Sequence, residues 1–200
     1  MGRPLDLSFV GRGHPLLGAG RGLDYARELL VAYPPRDEHQ VQERERVLAF
    51  VDRHPDALLR TCLEGHLTAS ALLLDAEGSR GLLTLHRKLG KWLQLGGHVD
   101  GEGNLALGAL RELEEESGLA GIRIDPRPVD LDIHSIPARG AEPEHLHLDV
   151  RFLAAAPEGA REVLSDESLA LAWIDGAALG ELPVDESVRR LFRLAGLVGL

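Results

Sequence analysis

Three carboxylates, Glu112, Glu115 and Glu116, stand at i, i+3 and i+4 of a segment in which Ala106, Ala109, Leu110 and Leu113 repeat at the spacing of a buried helical stripe. At roughly 100° per residue the acidic stripe is centred about 115° from the apolar one. Like charges at this spacing repel, and the negative end of the helix dipole adds to the cost. A divalent cation offsets both penalties. Hard oxygen donors so placed surround Mg²⁺ while leaving coordination positions for water and phosphate. A solvated acidic face is the plainer reading of a glutamate-rich helix. The neighbours favour chemistry: Gly96–Gly97 permits close backbone approach, Arg111 stands beside the cluster, and Gly118 closes the helix.

Other residues invite attention with less force. His145, His147, Asp149 and Arg151 alternate with Leu146, Leu148, Val150 and Phe152, a strand pattern with one polar face. His147 and Asp149 are candidates for a substrate cleft; His-x-His-x-Asp also has the donor types of a transition-metal site, and a merely wet strand face is the alternative. His98 follows the glycine pair and is a candidate substrate contact. Lys88 and Lys91, the chain's two lysines, flank a turn at Gly90 and could meet phosphate. Trp92 and Trp173, on short strands, read as core, and Cys62 as structural.

Positioning these groups takes a folded scaffold, which the chain is equipped to build. Its 200 residues are 44% hydrophobic and 27% charged, as in an ordinary globule. Helices are expected over 23–33, 37–53, 104–117 and 185–195, and strands over 68–75, 81–86, 92–95, 122–124, 131–136, 146–154 and 169–174. Strands mixed with helices, without regular alternation, give the α/β class with a mixed sheet. Residues 1–60 read as a loosely ordered glycine- and arginine-rich start plus a helical extension, and residues 61–200 as the main domain. The net charge of −10 disfavours nucleic-acid wrapping. No apolar run approaches the roughly 18 residues of a membrane span. One cysteine excludes an internal disulfide and fits a cytoplasmic setting. A homodimer is left open.

The segment 97–119 resembles a Nudix box, whose pattern is G-x5-E-x7-R-E-U-x-E-E-x-G-U with U aliphatic. From Gly97 the matches are Arg111, Glu112, Leu113, Glu115, Glu116, Gly118 and Leu119. The first glutamate of the pattern falls on Gly103 instead. In the family that residue helps hold the arginine; here Glu102 stands one place early and Asp100 three, and Arg111 is expected to find a partner such as Glu102. The resemblance implies an α/β/α sandwich that hydrolyses a nucleoside diphosphate linked to another moiety by water attack at phosphorus. It implies Mg²⁺, with Mn²⁺ as a substitute, held by Glu112, Glu115, Glu116 and the Gly96 carbonyl. The catalytic candidates are then Glu112, Glu115, Arg111 and a loop base, for which Glu167 is preferred over Glu158, Glu162 and Asp166. The substrate is a small-molecule nucleoside diphosphate derivative. The rival reading is a Nudix-like module that binds such a molecule without cleaving it.

Overall fold

A computed structural model describes residues 6–87, 89–140, 142–164 and 168–199. In chain order the elements are β1 (Val10–Gly11), α1 (Leu23–Ala32), α2 (Glu38–Val51), β2 (Gly65–Leu74), β3 (Gly81–His86), β4 (Trp92–Leu93), β5 (Leu95–His98), α3 (Leu105–Ser117), β6 (Arg123–Ile124), β7 (Asp130–Ile136), β8 (His145–Ala155), β9 (Ser168–Ile174), α4 (Gly176–Glu181) and α5 (Glu186–Leu194). No helix among the described residues is long and apolar enough to cross a membrane.

The strands form one mixed sheet in the order β1-β6-β8-β2-β3-β4, with β5 on β2, β7 on β8 and β9 on β3. Its spine is the parallel pair β2 and β8, in register from Gly65 opposite Leu146 to Leu74 opposite Ala155. The other strand pairs described are antiparallel. Central strands covered on both faces read as near-continuous apolar runs, which is the pattern of Ala69 to Leu74 and of Val150 to Ala156.

The two faces carry separate cores. Leu67, Ala69, Ala71, Leu148, Val150 and Phe152 pack with Leu105, Ala109, Leu110 and Leu113 of α3, and that core continues to Leu30 of α1 and to Val47 and Phe50 of α2. On the opposite face Leu72, Leu74 and Leu153 meet Leu179 of α4 and Val188, Leu191 and Phe192 of α5. The architecture is therefore an α/β/α sandwich. The start of the chain is more engaged than its composition suggests. Val10 pairs with Ile124, and the Ser8 amide donates to Asp125 at 2.7 Å.

The face under α5 is apolar only along part of its length. Nearer the start of β2 it carries a buried charge network. Arg151, 2% exposed, pairs with Asp149 at 2.8 Å, Asp132 at 3.0 Å and Asp130 at 3.4 Å. Arg190 of α5 reaches Asp130 at 2.8 Å and Asp132 at 3.2 Å. Burial opposes the Arg151 charge, but the surrounding carboxylates outweigh it and hold the guanidinium protonated. The network fastens α5 to β7 and β8. Arg151→Met is expected to lower stability by about 3–5 kcal/mol, because it strands buried carboxylates without their cation. Urea denaturation checks this; an unchanged midpoint would mean that Arg190 alone suffices.

Candidate active site

The acidic helix is held by both ends. Asn104 caps α3, its side-chain oxygen accepting from the Leu107 amide at 3.3 Å. At the other end Gly118 takes the left-handed conformation, φ 66°, which glycine adopts without steric cost. Between them the apolar stripe fixes the rotation of the helix and so aims its carboxylates at β5.

At β5 the two glycines are a steric requirement. A Cβ at Gly97 would lie 2.6 Å from a Glu112 carboxylate oxygen, and one at Gly96 would lie 2.3 Å from the Ser70 Cβ. With no side chains there, Glu116 accepts a hydrogen bond from the Gly96 amide at 2.9 Å, and Glu112 rests against Gly97. Burial pushes the Glu112 carboxyl up; Arg111 opposes that shift, while Glu115 and Asp100 add to it. Arg111 donates to the His98 carbonyl at 2.6 Å and pairs with Glu112 at 2.9 Å and Glu115 at 3.6 Å. It ties the loop after β5 to the helix. Glu115 is the most exposed of these partners, its side chain 58% accessible.

Glu102 is not the partner of Arg111. Its carboxylate accepts from the amides of Gly20 at 2.7 Å, Arg21 at 3.1 Å and Asn104 at 2.8 Å. The segment before α1 thus lies across the loop, and Asn104 donates from its side chain to the carbonyls of Leu16 and Gly18. Gly103 is where the two backbones meet: its amide donates to the Arg21 carbonyl at 2.6 Å. A Cβ there would sit 2.0 Å from the Gly22 carbonyl oxygen. The missing box glutamate has a packing cause.

The remaining sequence candidates divide. His98 and His147 converge, their ring centroids 5.1 Å apart, over His66. Burial pushes His98 down to about 4, with Arg60 adding to the shift. His147 falls to about 2, by burial and then the neighbouring rings of His98 and His66. Both are neutral at physiological pH. Asp149 is 4% exposed, and its carboxylate is taken up by Arg151, Ser70, Thr68 and Gln94. Lys91 is paired with Asp185 at 3.1 Å, just ahead of α5. Trp173 donates to Glu162 at 2.9 Å, which engages that acid. Lys88, Asp166 and Glu167 lie outside the described residues. Sequence reasoning missed His66. Its strand was expected to begin two residues later, and nothing local to Gly65–His66–Leu67 signals a site.

The residues fit a hard divalent cation. Half-buried Glu112 and Glu116 and exposed Glu115 share one helix face, with Arg111 as the cation paired to Glu112 and Glu115 and the side-chain-free Gly96–Gly97 backbone beside them. Glu112, Glu115, Glu116 and the Gly96 carbonyl supply oxygen donors of the kind such ions take.

Comparison with protein families matches residues 64–194 to the NUDIX domain. The chain belongs to that family. Of its box carboxylates, Glu112 and Glu116 meet β5 and Glu115 lies open beside Arg111. No curated protein is significantly similar in sequence. Among solved structures, an Ap4A hydrolase from C. elegans in a binary complex shares the fold at 18% identity and TM-score 0.53, over 65% of this chain and 94% of its own. The E. coli dihydroneopterin triphosphate pyrophosphohydrolase does so at 21% identity and TM-score 0.51, over 64% and 92%. The M. smegmatis Nudix hydrolase RenU follows at 21% and 0.50, over 68% and 89%. The contacts made by residues 6–22 lie outside the family match, which begins at residue 64.

Restoring the family residue tests the packing account. Gly103→Glu should lower stability by about 1–3 kcal/mol through overpacking against Arg21 and Gly22. The denaturation midpoint measures it. An unshifted midpoint would show that the N-terminal segment does not need this contact.

Proposed function

We propose that this chain hydrolyses the diphosphate linkage of a small-molecule nucleoside diphosphate derivative by water attack at phosphorus, with Mg²⁺ as its ion and Mn²⁺ as a substitute, in the cytoplasm. The observation that carries the reading is the seating of Glu112 and Glu116 on the Gly96–Gly97 backbone, with Glu115 open beside them. In this reading residues 61–200 form the hydrolase domain and residues 1–60 an extension that braces its loop.

Glu112, Glu115, Glu116 and the Gly96 carbonyl would hold the ion. Bound there, it supplies charge neutralisation for the diphosphate oxygens and a lowered pKa for the attacking water. Arg111 is a positioning residue. Its bond to the His98 carbonyl and its pairs with Glu112 and Glu115 fix the carboxylates before substrate arrives, and such pre-organisation lowers reorganisation during the reaction. Glu112 or Glu115 would orient the attacking water or take its proton. The loop base is assigned to Glu167 on sequence alone. Lys88 and Lys91 are assigned to phosphate and His98 and His147 to the cleft floor, whereas the carboxylate of Asp149, the third cleft candidate, is engaged by Arg151, Ser70, Thr68 and Gln94 and is left out of the substrate contacts.

A binding module without catalysis draws its support from the missing first glutamate. The crossing of Arg21 and Gly22 over Gly103 supplies a packing reason for that loss, and the ion-binding carboxylates are present.

The test is a pooled hydrolysis screen with Mg²⁺ or Mn²⁺. It spans nucleoside triphosphates, nucleotide sugars, ADP-ribose and dinucleoside polyphosphates, with products identified by mass. Metal-dependent cleavage is expected, with Glu116→Gln lowering turnover at least about 100-fold while the fold is unchanged. Near-normal turnover in that variant would remove the metal assignment. No cleavage, with a pooled compound still raising the melting temperature, would establish the binding module.

A further inference from the structure

Beside the carboxylates, the same sheet gathers donors of a different kind. His66 lies opposite His147 in the β2–β8 register, and His147 opposite His134 in the β8–β7 register. His98 stands opposite Thr68, so it shares the His66 face of the sheet. The rings of His98, His145 and His147 surround His66, with centroids 4.9, 5.0 and 4.9 Å from its own. Donor atoms of His66, His98 and His147 lie within 4.8 Å of one another. Small ring rotations bring such atoms to the separation of about 3.3 Å set by a shared ion with metal–nitrogen bonds near 2.0–2.1 Å.

The hydrogen bonding points to a missing occupant. His66 is 2% exposed, and neither ring nitrogen has a hydrogen bond of ordinary geometry; burial and then His145 push its pKa down, against the nearby Cys62 backbone. The Nε2 atoms of His145 and His147 are likewise buried without a hydrogen bond, His145 Nε2 having only the Glu142 carboxylate at 3.9 Å. Buried polar atoms are nearly always satisfied, and an ion is one of the few explanations when they are not. His145 already has the arrangement of a ligand. Its Nδ1 donates to the Pro143 carbonyl at 2.9 Å, leaving the Nε2 lone pair on the other side of the ring.

The electrostatic setting accepts a cation. Three aspartates and two arginines make up the adjacent buried network, a formal excess of one negative charge. Arg60, whose charge acts on both His66 and His98, is engaged by Asp100 through two hydrogen bonds at 2.8 and 3.0 Å. Neutral imidazoles attract neither phosphate nor Mg²⁺ strongly. They suit the borderline first-row ions.

We infer that His66, His98 and His147 form a three-histidine site for one divalent transition-metal ion of the Zn²⁺ class. It is distinct from the carboxylate site in donor chemistry, and it bridges β5, β2 and β8 immediately after the glycine pair. An ion there locks the end of β5 to the sheet.

The test is titration of the full chain, stripped with a chelator, using Co²⁺ read by its visible absorption and Zn²⁺ read by displacement of Co²⁺. One equivalent with the intense bands of tetrahedral cobalt is expected, unaffected by millimolar Mg²⁺ and retained in Glu116→Gln. His147→Gln and His98→Gln, both at partly exposed positions, should weaken binding more than about tenfold. The rise in melting temperature on Zn²⁺ addition should vanish in them. His66→Gln should do the same, and the other two variants decide the matter if it fails to fold. Absence of binding in the folded wild type overturns the inference. So does binding that persists in the histidine variants or is lost in Glu116→Gln.

Discussion

Close approach of α3 to β5 is the constraint on which the rest of the molecule depends. Helix and strand can meet this closely only where the strand has no side chain, as at Gly97 against Glu112, while Gly96 clears Ser70 of the neighbouring β2. Removing those Cβ atoms lets a carboxylate accept from a strand amide and another lie flat on the strand. The same absence weakens β5 as a strand, since glycine has poor β-propensity and high backbone entropy. Its stability is therefore borrowed. Pairing with β2 over Thr68 to Ala71 supplies one edge, and Arg111 clamps the exit through the His98 carbonyl.

The loop between β5 and α3 shows how one departure from a family pattern is balanced by others. Its second half is braced from outside by residues 16–22, which reach it through Glu102, Gly103 and Asn104. A glutamate at position 103 would compete for the volume of the Gly22 carbonyl. Glycine there and the crossing segment form one solution, in which Glu102 holds the brace and the helix carboxylates themselves hold Arg111. Asp100 contributes by pairing with Arg60, just before β2. The extension belongs to the architecture of the site.

Much of this was legible from local pattern. α3, with its apolar stripe, its Asn104 start and its Gly118 stop, is readable because every signal is within the helix. β3 follows from alternation and turn residues, while β2, β7, β8 and β9 begin a residue or more earlier than expected. The pairing of 95–98 with β2 was hidden because two glycines erase the strand signal. β1 and α4 were missed for another reason: they are two and six residues long, and tertiary contact makes them. The binding of Glu102 to Gly20 and Arg21 spans about eighty residues. A single sequence carries no local trace of such a contact. For the same reason Glu102 appeared to be the natural partner of Arg111.

The histidines mark the sharpest limit of local reading. His-x-His-x-Asp on β8 shows a polar face, but whether that face binds anything depends on what the neighbouring strands place opposite it. His66 and His98 are supplied from β2 and β5 by the parallel register of the spine and by the antiparallel register of its neighbour. Asp149, in the same motif, goes to Arg151 instead. Its oxygen chemistry is consumed by the buried network, and the nitrogen donors are left over. One short motif is thus divided between two physical tasks. The charged half fastens α5 to the sheet, and the imidazole half keeps Nε2 atoms without hydrogen bonds beside the backbone that seats the acidic helix. A sheet face that were merely wet would have satisfied these rings with solvent at the surface; burial of His66 at 2% exposure denies it that solution.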